Sequence, residues 1–430
     1  MSAPVDRTVA ARPRSAREAA FLGEGQALLP ESVAQLGEIV REAERTGRAL
    51  MPAGSGAHTD PADPSREPWI VSLEKLDAIV HHQPDDFTVG VQAGMPLARL
   101  RDELARHGQE LPVDPGAAAA GTVGGLVARA PIGPRTHRHG SVSTLLLGAE
   151  GVRGGGHAWT SGGMVVKNVA GYQVAKLMAG SRGRAGFVTR ANFRLRPIPP
   201  ARAVRFASGT AALVQSIADA LRASRLEPTL AVLRGAVVRE LRDAGLPVPP
   251  GDAAVGWLFE GSRERVRGLA GEAERIVREA GGEPGPEDGS GGSRFLDHLA
   301  DFASPAGSPE PGGRVRITVL PSRGASALRD ALAAGPADDA TAGAYLDPFL
   351  GTVTLGWSTD GGAGDAPVAA WTDVARRHGG IARALSLPPR FKARWTEPLT
   401  GDPTSALADR VLDVFDPHRL FRALPVEMAP

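Results

Sequence analysis

The chain has 430 residues, 42% hydrophobic and 23% charged, with 49 Lys+Arg against 48 Asp+Glu for a net charge of +1. That length exceeds what one compact core usually holds, so two domains are expected, and the near-neutral balance argues against a dedicated nucleic-acid binder, which carries a basic excess. There is no cysteine, which excludes disulfides, thiolate catalysis, cysteine-ligated zinc and a self-contained iron–sulfur cluster.

Residues 1–25 read as a flexible tail, rich in Arg, Ser and Ala, faintly like an organellar transit peptide but without an apolar signal core. No run approaches the roughly 18 apolar residues of a membrane helix, and a cytoplasmic location is expected. Glu31 to Arg45 reads as a helix with Val33, Leu36, Val40 and Ala43 on one face. Arg48 to Pro52 is a short strand and Gly54 to Asp60 its turn. Phe87, Val89 and Val91 alternate with smaller or polar residues, the pattern of a strand. Pro96 starts a helix carrying Leu97, Leu100 and Leu104. Leu145 to Val152 and Phe187 to Leu195 are further strands, and Pro197, Pro199 and Pro200 end the first domain.

Beyond the prolines, TLAVLR at 229–234, DAAVGWLFE at 252–260, RVRITVL at 314–320 and GTVTLGW at 351–357 read as strands. Ser262 to Ala280 and Pro367 to His378 read as helices, and Gly281 to Ser293 as a flexible linker. Ala406 to Phe415 is a last helix. Short strands mixed with short helices give an α+β class in both domains, the second an antiparallel sheet covered by helices.

Three glycine-broken turns suggest backbone amides set out for a phosphate-bearing cofactor. Gly54-Ser55-Gly56 follows a strand; it reads as a phosphate cradle or a tight turn. It is not a Rossmann fingerprint, since the last place of G-x-G-x-x-G counted from Gly54 holds Thr59, and no P-loop motif occurs. Gly121-Thr122-Val123-Gly124-Gly125 opens an apolar stretch, reading as an anion site at a helix start or as a plain cap. Gly180-Ser181 and Gly183 to Gly186 form a third turn, facing a flat ring or merely connecting. Gly154-Gly155-Gly156 is a hairpin turn. Arg135, His137, Arg138 and His139 cluster after the second turn; they could hold a carboxylate and take a proton, or form a solvated basic loop. His81, His82 and His378 read as surface residues. No histidine or carboxylate spacing indicates a metal.

The segment GGMVVKNVAGYQVAKLMAGS at 162–181, with VGVQAGMPLARLRDELARHGQELPVDP, GTVGGLVARAPIGPR and the closing VLDVFDPHRLF, resembles the FAD-binding family of the vanillyl-alcohol-oxidase/PCMH type. Within it the chain resembles the FAD-binding subunit of glycolate oxidase. The resemblance implies a PCMH-type two-part FAD-binding domain over 26–200, an α+β cap domain over 201–395, and a segment at 396–430 returning to the first domain. It implies FAD held by Ala53, Gly54, Ser55, Gly56, Ala57 and His58, by Thr122, Gly124 and Gly125, near Gly140 and Ser141, and against the backbone of Val188. Lys167, Asn168 and Tyr172 match the subunit's signature, with packing as the alternative role. The implied activity is oxidation of a small 2-hydroxy acid, with Arg135, His137 and His139 as catalytic candidates. The implied partners are a second flavoprotein subunit and an iron–sulfur subunit, with at most peripheral membrane association through them.

Several positions depart from the family pattern. Ala53 replaces an arginine, and Ala57 stands where some relatives bond the flavin covalently, so FAD is expected to be non-covalent. Ser143-Thr144 replaces Arg-Asp, Gln173 replaces Asp, and Arg184 enters a turn that usually holds a small hydroxyl. The closing Asn-Pro-Gly is absent after Phe421. These departures keep two other readings open: a stand-alone FAD oxidoreductase on another alcohol or hydroxy acid, and a non-catalytic scaffold subunit.

Overall fold

Ser32 starts the first helix of the computed structural model, its hydroxyl accepting the Gln35 amide proton at 3.1 Å. The structure describes residues 27–54, 68–116, 121–164, 172–289, 292–303, 312–335, 342–358, 368–386 and 403–421; the expected tail at 1–25 lies outside them. The helix runs Val33–Thr46 and ends where Gly47 turns left-handed. It buries Leu36, Ile39, Val40 and Ala43. The chain folds as two compact units. Described residues within 27–131, 140–198 and 403–421 form the first, and those within 132–139 and 199–386 form the second.

In the first unit β1 (Leu50–Ala53) pairs in parallel with β2 (Trp69–Ser72). A second, antiparallel sheet contains β3 (Ile79–Gln83) and β4 (Thr88–Gln92). The two-residue β5 (Gln109–Glu110) stands apart from it, and β6 (Leu146–Arg153), β7 (His157–Gly162) and β8 (Phe187–Arg194) complete it in the order β3-β4-β8-β6-β7. β9 (Arg196–Pro197) pairs with β5. Alternation puts Val89, Val91, Ala149, Ala191 and Phe193 into one core with Leu126, Val127 and Met178. Phe87 is not in the strand: it sits at φ 52 in the turn before β4. The Gly154–Gly156 turn does more than join β6 to β7. A Cβ at Gly156 would lie 2.3 Å from the Gly37 carbonyl, so its lack of a side chain lets the first helix rest on it.

The closing helix, Pro403–Phe415, leads into a turn made by one carboxylate. Asp416 is fully buried and accepts amide protons from Leu420 at 2.8 Å and Phe421 at 2.9 Å. That turn drives Phe421 into the core beneath β1, edge-on to Phe187 at 5.5 Å, while the Leu420 carbonyl accepts the Leu50 amide proton.

The second unit is one antiparallel sheet. Its strands are β10 (Ala201–Gly209), β11 (Thr229–Gly235), β12 (Ala253–Gly261), β13 (Gly312–Thr318), β14 (Ala342–Asp347), β15 (Thr352–Ser358) and β16 (Ile381–Ser386). They run in the order β10-β12-β11-β14-β15-β13-β16. Helices Ala236–Asp243 and Ser293–Phe302 share a core with Val204, Phe206 and Leu233. At the other end, Trp357 meets Trp371 of helix Val368–Arg377 at 5.4 Å, and the Trp371 indole donates to the Ala331 carbonyl. The expected linker at 281–293 is corrected: its described part is pinned along β10. The Gly285 and Asp288 amides donate to the Phe206 and Val204 carbonyls at 2.7 and 3.0 Å, and Asp288 is buried against Arg294. Edge-strand carbonyls need donors, and this loop supplies them.

Replacing Asp416 with Ala removes two hydrogen bonds to a charged acceptor, each contributing ~1.5–3 kcal/mol. Asp416→Ala is expected to lower unfolding stability in urea by about 3 kcal/mol, and Asp416→Asn, which keeps one acceptor, by less.

Candidate functional site

The first glycine turn begins as β1 ends at Ala53. Ser55, Gly56, Ala57 and His58 lie outside the described residues. Gly54 packs directly on the second turn: a Cβ there would stand 2.5 Å from Thr122 Oγ1, closer than any real contact. Only bare backbone fits.

Thr122 caps helix Val123–Arg129 with extended backbone, its Oγ1 accepting from the Gly125 amide at 3.2 Å. The neighbouring amides are engaged as well. Val123 N–H donates to the Met95 carbonyl at 2.9 Å and Gly124 N–H to the Ala93 carbonyl at 2.8 Å. The amides of Gly124 and Gly125 therefore shape this turn. The Thr122 hydroxyl, having accepted one bond, still carries a hydrogen to donate.

Ala93 joins this turn to β8, since its own N–H donates to the Thr189 carbonyl at 2.9 Å. Val188, next to Thr189, is 8% exposed and shares a core with Val123 and Leu126. The third turn is tied to the far end of the same helix: Gly180 N–H reaches the Val127 carbonyl at 3.0 Å and Arg182 N–H the Ala128 carbonyl at 2.7 Å. It closes at Gly186, φ 118, where a Cβ would lie 2.5 Å from the Val152 carbonyl. Gly140, φ 91, precedes Ser141, which caps the short helix Val142–Leu145 and bonds Thr144 through both its amide and its hydroxyl. Val142 and Leu145 belong to the same core as Val123. Gly54, the second and third turns and the Gly140-Ser141 pair are thus all tied to one helix, Val123–Arg129.

The departures have local explanations. Arg184 pairs with Asp409 of the closing helix at 3.7 Å. Ser143-Thr144 lies in the Ser141-capped turn. Gln173 stands at the start of helix Val174–Met178 without capping it. Tyr172 is 94% exposed, which removes packing as its role; Lys167 and Asn168 lie outside the described residues.

The basic cluster belongs to the second unit, and the solvated-loop reading is corrected. Arg135 is 6% exposed, and its guanidinium lies 3.7 Å from the Glu260 carboxylate. His139 Nε2 contacts the same carboxylate at 2.9 Å, and Arg202 Nε donates to it at 2.7 Å. Burial alone raises the Glu260 pKa; the His139 hydrogen bond and the Arg135 and Arg202 charges outweigh it and bring it down to about 2. His137 instead stacks flat on Phe349, with ring centroids 4.0 Å apart. Burial lowers its pKa, and its Nε2 is buried without a hydrogen-bond partner among the described residues. The Arg138 guanidinium donates to the Glu227 carbonyl at 3.0 Å. His82 and His378 also have structural partners, Gln109 and Asp330, each at 2.9 Å. Glu260 escaped the sequence reading, although a lone carboxylate ending the apolar run DAAVGWLFE was a usable signal.

A family model described as an FAD binding domain matches residues 26–162. A solved structure of p-cresol methylhydroxylase with substrate bound superposes with a TM-score of 0.67 at 15% identity, covering 92% of this chain and 87% of that one. Residues 26–162 are therefore similar to an FAD binding domain, and the chain shares the fold of that hydroxylase. This chain is also similar to the D-2-hydroxyglutarate dehydrogenase of Xanthomonas citri pv. viticola, 32% identical over 46% of this chain and 43% of that protein. The glycolate oxidase subunit GlcE of Escherichia coli is 38% identical over 29% of this chain and 35% of that protein. The matches span under half the length of these two curated relatives.

The FAD-binding domain fits its cofactor in one direct respect. Gly54 and Gly186 sit where a side chain would collide with neighbouring chain, so the turns close up only as bare backbone, which keeps the Thr122 hydroxyl hydrogen beside Gly54 as a donor for a phosphate. The ion pair with Asp409 also gives the Arg184 charge a partner within the domain.

Glu260 supplies the next expectation. Its folded pKa is depressed, so its contribution to stability is full above about pH 4.5 and is lost as pH falls towards about 2. Glu260→Gln leaves Arg135 and Arg202 without their carboxylate and is expected to cost roughly 3–5 kcal/mol at pH 7. Urea unfolding at pH 7 and pH 3 should show the wild type losing stability on acidification more steeply than the variant.

Proposed function

We propose that the chain is an FAD-dependent oxidoreductase acting on the CH–OH group of a small 2-hydroxy acid, as the FAD-binding subunit of a glycolate oxidase-like complex. The observation that carries this reading is the meeting of the glycine turns around helix Val123–Arg129, through Gly54 on Thr122 and the two backbone bonds of Ala93. Relatives named as a glycolate oxidase subunit and as a 2-hydroxy acid dehydrogenase support the substrate class.

In this reading FAD lies non-covalently along Ala53 to His58, Thr122, Gly140, Ser141 and the backbone at Val188, with Gly124 and Gly125 holding the turn in shape. Bound FAD supplies a two-electron acceptor for hydride from the substrate α-carbon. The chain's own residues orient the substrate and accept its hydroxyl proton. Arg135 and His139 are committed to Glu260. His137 keeps a nitrogen in reserve, and its lowered pKa leaves the ring neutral at pH 7, the form a base requires. The proposed electron-accepting partners are a second flavoprotein subunit and an iron–sulfur subunit; this chain has no cysteine to hold a cluster itself. The proposed location is the cytoplasm, with any membrane contact made through the partners. Among the described residues no helix is long and apolar enough to cross a membrane.

The purified chain is expected to show flavin absorption that bleaches anaerobically with glycolate or D-lactate once its partners are present. A colourless protein that takes up no added FAD supports the scaffold reading instead. Gly54→Val pushes a side chain into Thr122 and is expected to weaken FAD binding at least about tenfold, or ~1.4 kcal/mol, in a fluorescence titration.

A further inference from the structure

The sheet of the second unit carries an unusual charge on one face. In β13, Val315 and Ile317 are fully buried and alternate with Arg314 and Arg316. Cross-strand partners point the same way. Arg316 stands opposite Thr354 of β15 and Arg383 of β16, Arg314 opposite Ser386 of β16, and Thr354 opposite Tyr345 of β14. One face therefore gathers three guanidiniums among hydroxyl groups.

Arg314 and Arg316 are each only 9% exposed. Among the described residues, neither has a carboxylate within ion-pair distance. Arg314 lies over the Phe302 ring at 4.6 Å and donates to the adjacent Gly313 carbonyl at 3.1 Å, while its Nε is buried without a partner. Arg316 donates to Thr354 Oγ1 at 3.4 Å and to the Ile132 carbonyl at 3.1 Å. The Ser386 hydroxyl oxygen is likewise buried without a partner. The acidic groups whose fields reach the pair are Glu240 and Asp347. Asp347 stands outside ion-pair distance of both: burial pushes its carboxyl up to about 6, and its Oδ1 is taken by the Phe349 and Leu350 amide protons.

Burial lowers the Arg316 pKa to about 10, so the side chain stays cationic at neutral pH. Two buried cations with no carboxylate at ion-pair distance among the described residues are costly, and buried arginine is ordinarily paired. Their free donors match an anion with two coplanar oxygens.

We propose that this face binds the carboxylate of a small organic acid, with the Arg314 and Arg316 guanidiniums and the Ser386 hydroxyl as donors. Thr354 at 1% and Tyr345 at 4% exposure show how deep the face lies, which restricts the occupant to a group of few atoms. Exposed Arg383 on the edge strand gives an incoming anion its first attraction. The Ile132 contact brings the backbone that leads to His137 onto the same arginine. All of these residues lie in the second unit, so the inference does not depend on the cofactor turns. Combined with the proposed activity, the bound group is the carboxylate of the 2-hydroxy acid.

The test uses the full chain in carboxylate-free, low-chloride buffer, with calorimetric titration and thermal unfolding. Glycolate and D-lactate are expected to bind saturably and raise the melting temperature, whereas neutral ethylene glycol does neither. Arg314→Met is expected to weaken glycolate binding by about tenfold or more, and Ser386→Ala by a smaller measurable factor. Flavin absorbance of the same samples reports the first unit separately and should not change, so failure of the redox reading and failure of this site are distinguishable. No saturable binding of glycolate or D-lactate overturns the proposal, as does wild-type affinity in Ser386→Ala, the variant that carries the test if Arg314→Met does not fold. Equal binding of phosphate or chloride overturns the assignment to a carboxylate.

Discussion

The peptide group of Ala93 is the point on which the cofactor-binding unit depends. Its N–H is held by Thr189 of β8 and its carbonyl by Gly124 of the second glycine turn. One residue thereby fixes the distance between a sheet strand and the start of helix Val123–Arg129. Everything else in the region is referred to that helix. Gly54 rests on its cap, Gly180 and Arg182 bond to its last carbonyls, and Val142 and Leu145 pack in its core. Backbone hydrogen bonds suit this task because their geometry is short and directional. Side-chain packing alone tolerates the small slips that would part a phosphate from its donors.

The same bonds change what the glycines are for. Glycine-rich turns are read as sources of exposed amides, but Gly124 and Gly125 use theirs internally. Gly54 and Gly186 matter because a methyl group would collide with Thr122 or with the Val152 carbonyl. Close approach of chain to chain, more than free donors, explains these positions.

Much of the first unit was legible because its signals are local. The alternation of Val89 and Val91, the proline before Leu97 and the apolar run from Phe187 after the third turn each mark an element within a few residues. The motif VVKNVAGY pointed to the fold, yet Lys167 and Asn168 lie outside the described residues and Tyr172 is exposed. β10, β14 and β16 were missed: ARAVRFASG, AGAYLD and IARALS are short, alanine-rich or charged, and become strands only through their neighbours. The segment after Gly281 looked like a linker from its Gly and Pro content. Its order comes from carbonyls of β10 roughly eighty residues earlier in the chain, a relation that no local window contains.

Charge was the least legible property, since its meaning depends on the partner. Arg135 and His139 have the composition of an anion-binding loop, but Glu260, far along the chain, already engages both. Arg314 and Arg316 sit in a strand that reads as ordinary alternation, and among the described residues no carboxylate lies within ion-pair distance of either. The two clusters lie on one sheet and show opposite electrostatic states. Around Glu260 the carboxylate is stabilised far below its usual pKa, the mark of a satisfied site. Around Arg316 the burial penalty dominates and the cation is destabilised. A protein gains stability from the first arrangement and gives some up in the second. Stability forgone at this deep polar face is what the proposed anion would restore.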